Sequence, residues 1–280
     1  MHGRLAAILL AGALLLSGCS RSGTEAAPVG ETTGELEIHF FDAGKADAIL
    51  LTTQNSAVLI DTGEKGFGKT ISAYLAEKGV ERLDYLIVTH FDKDHVGGAA
   101  KVLNDISVGT VLQSNQPKDS DEYENYLNAL TAVGIEPVTV RETYGFSLSG
   151  VSYTVDPPRQ KAYDEDSSNN SSLIVTVTNG DNRFLFAGDA QTERLGEFLD
   201  TNTTVFDVLK LPHHGKDEPL LDALLASTKP TYAIITSSDD EPESEEVVET
   251  LQSAGITVLR TRNGAVTLLS DGTKLSARQD

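Results

Sequence analysis

Apolar positions along the chain switch between two periods. Residues 35–41 alternate, with Leu36, Ile38 and Phe40 on one face, as a half-buried strand requires. Short apolar runs bounded by turn residues recur at 49–52, 57–60, 83–88, 108–112, 151–155, 173–178, 184–186, 208–212, 231–236, 258–260 and 265–269, and each reads as a strand. Between them, residues 69–78, 122–133, 193–199, 220–226 and 245–254 read as helices, and 99–103 as a shorter one. Asn179-Gly180-Asp181-Asn182, between two of the strands, is a hairpin signal. Residues 164–172 form a polar loop, and 239–246 an acidic stretch expected to lie solvated on the surface. Strands alternating with helices predict a layered α/β architecture, with no internal repeat.

The first residues follow a different pattern. Arg4 precedes an unbroken small or apolar run over 5–16, too short for a spanning helix, which needs roughly 20 apolar residues. Basic residue, apolar run and Ser17-Gly18-Cys19 match a secretory leader. Residues 20–34 are rich in Gly, Ser, Thr, Glu and Pro and lack periodicity, as a flexible tether does. The expected organisation is a leader over 1–18, a tether over 19–34 and a folded domain over 35–280. Leu16-Ser17-Gly18-Cys19 resembles a bacterial lipobox. That implies lipidation of Cys19, anchorage to a membrane and an extracytoplasmic location. Cys19 is the only cysteine, so a lipidated chain keeps no thiol for disulfides, metal binding or nucleophilic catalysis.

A hydrophobic content of 39% with 23% charged residues fits a folded globular chain rather than a disordered one. The net charge of −20 falls to −21 if Arg4 leaves with the leader. Such a balance opposes long-range attraction to nucleic acid or to an anionic membrane surface. Bound divalent ions reverse the field locally, so strong nucleic-acid binding is not expected without metal.

Candidate chemistry gathers at strand ends. Residues 89–98 read Thr-His-Phe-Asp-Lys-Asp-His-Val-Gly-Gly, between the strand 83–88 and the helix 99–103. Two apart on an extended loop, His90 and Asp92 can share one target, while Asp94 and His95 face it from the turn into the helix. Imidazoles and carboxylates this dense suit one or two divalent metals. Asp94 also fits a helix N-cap. Asp92-x-Asp94-x-x-Gly97 resembles the start of a calcium loop, but Val96 takes a ligand position and Leu103 the place of the bidentate Glu. Asp61-Thr62-Gly63 closes another strand as a turn. Gly188-Asp189-Ala190 ends the strand 184–186, where Asp189 is either a site residue or a cap. His213-His214-Gly215 follows the strand 208–212, and neutral imidazole is a preferred ligand of divalent metals. Four of the six histidines lie in these motifs; His39 sits in the first strand and His2 in the leader.

The His-x-Asp-x-Asp-His of residues 90–95 resembles the His-x-His-x-Asp-His signature of the metallo-β-lactamase superfamily, in the form of its ComEC-like subgroup. The order Asp-Thr-Gly, His-x-Asp-x-Asp-His, Gly-Asp, His-His-Gly resembles that subgroup over about residues 35–274. Lys45 and Ala46 depart from its Gln and Gly in the first turn, and Lys216 from its Ser after His-His-Gly. A His usual in the superfamily before the hairpin is absent, and Asn169 or Asn170 stands in its place. The resemblance implies an α/β fold, a four-layer αββα sandwich with its site along one edge. It implies two divalent ions, zinc by default, with manganese suited to the carboxylate-rich set. His90 and Asp92 would bind the first ion, Asp94, His95 and His214 the second, and Asp189 would bridge them. Asn170 is a further candidate ligand, and Asp61 a supporting residue. The ions would lower the pKa of a shared water, Asp94 would orient the resulting hydroxide, and His213 would protonate the leaving group. The implied function is metal-dependent hydrolysis of a phosphodiester, of nuclease type. Two alternatives stand beside it: an esterase, lactonase or β-lactamase on the same site, and a non-catalytic surface binding protein. The missing His and the acidic surface suggest the latter.

Overall fold

A computed structural model describes residues 34–280; the expected leader, Cys19 and nearly all of the tether lie outside the described residues. Antiparallel strands β1 (Leu36–Phe40), β2 (Ile49–Thr52) and β3 (Ala57–Ile60) open the fold. Helix α1 (Gly68–Glu77) leads to β4 (Arg82–Val88), α2 (Lys93–Val96) and α3 (Ala99–Asp105) to β5 (Ser107–Gln113), and α4 (Asp121–Val133) to β6 (Val138–Thr139). These crossovers make β3 to β6 parallel neighbours.

The second half begins with β7 (Tyr144–Leu148), β8 (Val151–Asp156) and the single-turn α5 (Ser167–Asn170). The hairpin of β9 (Ile174–Asn179) and β10 (Asn182–Phe186) follows, with Asn179 opposite Asn182. Next come α6 (Thr192–Leu199), β11 (Val208–Lys210), α7 (Leu221–Thr228), β12 (Tyr232–Ile235), α8 (Glu245–Ser253) and β13 (Thr257–Arg260). The hairpin β14 (Val266–Ser270) and β15 (Leu275–Gln279) returns to pair with β1. Two sheets result, ordered β15-β14-β1-β2-β3-β4-β5-β6 and β13-β12-β11-β10-β9-β8-β7.

The alternation that the sequence shows in β1 has a direct cause. Leu36, Ile38 and Phe40 point into the layer between the sheets, where they meet Val177, Phe184 and Phe186. In β2 to β4 both faces are covered. Ile49, Leu51, Val58, Ile60 and Ile87 face the other sheet, while Leu50, Leu59, Leu86 and Val88 pack beneath α1, α3 and α4. A strand buried on two sides reads as a continuous apolar run. On the far side, Leu185, Leu209, Ala233 and Ile235 pack with Leu195, Leu224 and Leu251 of α6, α7 and α8. The four layers are helices, sheet, sheet, helices.

Several elements depart from the sequence reading. Strands β6, β7 and β15 carry too short or too polar an apolar pattern to be read, and the loop 164–172 contains α5. The acidic stretch is not all surface. Glu243 is buried, taking hydrogen bonds from Arg260 and Arg262 at 3.0 Å each and from Ser237 Oγ at 2.7 Å. Two guanidinium groups make that burial affordable, and nothing in the local charge run reveals them.

Candidate metal centre

The motif residues meet because both sheets present the carboxyl ends of their parallel strands along one edge. Asp61 follows β3, His90 follows β4, Asp189 follows β10 and the histidine pair follows β11. Neither capping alternative holds: α2 has Asp92 at its cap position, and α6 begins after Gln191.

Asp94, His95, Asp189 and His214 bring ligand atoms within 4.8 Å of one another, all buried. His95 Nε2 lies 3.2 Å from Asp189 Oδ1, and His214 Nε2 lies 3.1 Å from Asp189 Oδ2 and 3.4 Å from Asp94 Oδ2. Yet both Nε2 atoms and Asp189 Oδ1 are buried without a hydrogen-bond partner. Buried polar atoms left unpaired are costly. Atoms this close that face one another without hydrogen-bond alignment are converging on a common centre, and two imidazoles with two carboxylates are a donor set for zinc or manganese. The residues fit a divalent ion.

Supporting hydrogen bonds fix each ring. His95 Nδ1 donates to Asp61 Oδ2 at 2.8 Å, which turns Nε2 toward the cluster. Asp61 is itself held by the Thr89 backbone N–H at 2.8 Å and the Thr89 hydroxyl at 2.6 Å. His214 Nδ1 donates to Thr236 Oγ1 at 2.9 Å, and that hydroxyl donates to Asp47 Oδ1 at 2.7 Å. Ser172 Oγ takes the Asp189 backbone N–H at 3.1 Å. Lys210 is fully buried, pairs with Asp47, donates to the Gly188 carbonyl at 3.1 Å and lies 3.7 Å from Asp189 Oδ1.

A second group, Asp47, Asp61 and His95, also has ligand atoms within 4.8 Å. Its oxygens are already committed to Thr89, His95, Thr236 and Lys210, so it works as a supporting layer behind the first group.

Electrostatics follow from five carboxylates gathered around the cleft, Asp47, Asp61, Asp92, Asp94 and Asp189. Burial opposes the charged imidazolium at His95 and His214, but the Asp189 carboxylate outweighs it and raises both, His95 strongly. Burial pushes Asp189 up, and the two imidazoles overcome it and hold the carboxyl well below the usual range. Burial also works against the charge on Lys210, yet Asp47 and then Asp189 keep its ammonium above the ordinary value. At His90 burial prevails, and the imidazole is lowered.

Other expected residues stand apart from the four-residue group. His90 Nε2 is buried and unpartnered, 3.8 Å from Asp92 Oδ1. That Asp92 oxygen accepts from Lys118 Nζ and from Ser168 Oγ. Asn170 does not reach the cluster. Its Oδ1 takes the Arg194 backbone N–H at 3.0 Å, and its Nδ2 donates to the Glu165 carbonyl at 2.9 Å, which removes it as a candidate ligand. His213 turns away from His214 and lines the cleft mouth with Lys45, Lys93, Asp94, Lys118 and Asp189. Its Nδ1 donates to Glu218 Oε1 at 2.8 Å.

Sequence reading missed Asp47, Lys118, Ser168, Lys210 and Thr236. Lys210 alone left a trace, as a lysine inside an otherwise apolar strand two residues before Pro212.

The sequence pattern of the Metallo-beta-lactamase superfamily matches residues 42–237. ComE operon protein 3 of Bacillus subtilis (strain 168) is 29% identical over 261 residues, covering 84% of this chain and 33% of that protein. Recombination protein 2 of Haemophilus influenzae is 27% identical over 211 residues, covering 74% and 25%. The chain thus spans a third or less of the length of these relatives. Among solved structures, the metallo-beta-lactamase fold protein YhfI from Bacillus subtilis superposes with a TM-score of 0.55 at 10% identity, over 88% of this chain and 100% of that one.

Proposed function

The chain belongs to the metallo-beta-lactamase superfamily, and we propose that it is a metal-dependent phosphodiesterase held outside the cytoplasm by a lipid on Cys19. The rim of the cleft carries the substrate class. In a chain of net charge −20, Lys45, Lys93 and Lys118 line the mouth beside Asp92, Asp94, Glu122 and Asp189. With a divalent ion bound behind them, these ammonium groups would draw an anion to a site that the rest of the surface would repel. A phosphodiester carries its charge on the oxygens beside the bond to be broken. Similarity to a protein named for recombination supports the same substrate class.

A divalent ion, zinc or manganese, in the group of Asp94, His95, Asp189 and His214 supplies a Lewis acid and lowers the pKa of a water. The chain's own groups divide the remaining work. Asp94, at the cleft mouth, orients the attacking water. Lys45 and Lys118 hold phosphoryl oxygens as negative charge builds on them. His213, with Nδ1 fixed by Glu218, has Nε2 free to give a proton to the leaving oxygen. Lys210 keeps Asp47 charged and holds the Gly188 carbonyl beside Asp189.

The test is a panel of chromogenic substrates offered to ion-loaded protein. Turnover of a phosphodiester, lost on chelation, is expected. Turnover of a lactone or β-lactam without the phosphodiester would replace this reading with the esterase type. The anchor rests on Leu16-Ser17-Gly18-Cys19 alone. Full-length protein should enter the detergent phase of a detergent extraction and Cys19→Ser should not; wild-type protein in the aqueous phase would remove the lipid from the proposal.

A further inference from the structure

The resemblance implies two ions, but the two positions are built differently. Around the first group, His95 Nε2, His214 Nε2 and Asp189 Oδ1 are unpaired, and Asp94 Oδ2 faces them. Both Asp189 oxygens point at His95 and His214. On the other side His90 Nε2 is buried without a partner. Asp92 Oδ1, the nearest carboxylate oxygen to it, is taken by the Lys118 ammonium and the Ser168 hydroxyl. Asn170 is spent on Arg194 and Glu165. An imidazole beside a carboxylate that already carries an ammonium is not a closed set of ion ligands.

Lys118 is not a stray surface lysine. Its ammonium also donates to Ser168 Oγ at 3.1 Å. Its loop is pinned to the segment around α5 by Ser114 Oγ on the Ser171 carbonyl at 2.6 Å and by Ser167 Oγ on Gln116 Oε1 at 2.7 Å. Charge points the same way. The centre holds five carboxylates, Asp47, Asp61, Asp92, Asp94 and Asp189. Three ammonium groups answer them: Lys118 on Asp92, Lys210 on Asp47, and Lys45 at 3.5 Å from Asp94. Those three with one divalent ion neutralise the five. A second ion leaves two positive charges uncompensated in a half-buried cleft, an unfavourable arrangement.

We propose that this centre takes one divalent ion, held by Asp94, His95, Asp189 and His214, and that the Lys118 ammonium on Asp92 stands in the place of a second. The inference rests on the metal-dependent reading above but not on its substrate. Lys118 supplies the positive charge on that side of the cleft, and its ammonium has a donor left for a substrate oxygen.

The experiment counts ions rather than turnovers. Full-length protein is equilibrated with excess Zn²⁺ or Mn²⁺, freed of unbound ion, and measured by elemental analysis, beside Asp92→Ala and Lys118→Met. One ion per chain is expected for wild type and for Asp92→Ala. Lys118→Met, with Asp92 released beside the unpartnered His90, should rise toward two at saturating ion. Two ions in the wild type would overturn the proposal, and so would loss of the single ion in Asp92→Ala. A Lys118→Met protein that stays at one overturns the stand-in role. No ion at all in the wild type would instead fail the metal-dependent reading itself. Two ions with an active phosphodiesterase would fail only this inference.

Discussion

At His213 and His214 the backbone holds φ of 47° and 54°, the left-handed region, and Gly215 continues it at 70°. Non-glycine residues adopt that region at a cost of roughly 1–2 kcal/mol each. The turn sends His214 into the cluster and leaves His213 at the mouth, so adjacent imidazoles take different tasks. His213→Ala should keep the bound ion while turnover slows on the order of 10²-fold. Glu218→Gln should act in the same direction with a smaller effect. Asp189→Ala should lose both ion and turnover, because its oxygens face both ligand imidazoles. Elemental analysis beside steady-state kinetics reads all three. Loss of the ion in His213→Ala would reverse the assignment of the pair.

His39 gives a residue-scale test of stability far from the chemistry. It stacks on Tyr74 at 4.4 Å between ring centroids, and its Nδ1 meets Thr267 Oγ1 at 3.0 Å. Burial lowers its imidazole to about 4. The folded value lies below the unfolded one of about 6.5, so the folded state prefers neutral His39. That contribution is complete above about pH 6.5 and is lost as the pH falls toward 4. Urea unfolding of His39→Gln across this range should show a shallower acid limb than the wild type. Parallel limbs would mean that His39 titrates alike in both states.

At the scale of elements, the metal loop is shaped by a neighbour distant in sequence. The Thr62 backbone N–H and hydroxyl both donate to the His95 carbonyl at 2.8 Å, and the Gly98 N–H donates to the Gly63 carbonyl at 3.1 Å. The Asp-Thr-Gly turn therefore lies flat against α2, and Gly98 is where the backbones touch. A Cβ there would come within 2.2 Å of the Thr62 carbonyl oxygen. Gly98→Ala should cost roughly 2–4 kcal/mol in urea unfolding and weaken the ion, since His95 and Asp61 move with the contact. Unchanged unfolding and ion content would show that the turn is free to yield.

For the whole molecule, an ion in this group would join the two halves of the chain, Asp94 and His95 coming from the first and Asp189 and His214 from the second. Anything that binds only the folded state stabilises it. At a hundredfold excess over its dissociation constant the ion contributes about 2.7 kcal/mol, or roughly 5–10 °C in midpoint for a domain of this size. Scanning calorimetry with and without chelator measures it, and an unmoved midpoint would separate the ion from folding. With −20 net charge, the chelated protein should also show no tight DNA binding at physiological salt. Retention of labelled DNA in chelator would reveal a basic groove beyond the three lysines of the rim.

The sequence by itself determined the layers and marked the residues of the candidate centre. Strands buried on two sides must be continuously apolar, as at Ala57–Ile60, and helices between them must show their own period. Asp94, His95, Asp189 and His214 were legible because clustered imidazole and carboxylate at strand ends has few other uses. What surrounds them was decided only by the tertiary structure. Lys118 and Asp92 are 26 residues apart, Ser168 and Asp92 are 76 apart, and Thr236 and Asp47 are 189 apart. Lysine, serine and threonine occur everywhere on a chain, and no local pattern tells a solvated ammonium from one seated on a buried carboxylate. Packing sheet against sheet fixed which polar groups lost water together. That packing set Asp189 against His95 and His214, where its carboxylate outweighs burial and raises both imidazoles, and it set the engagement of Asp92 and Asn170.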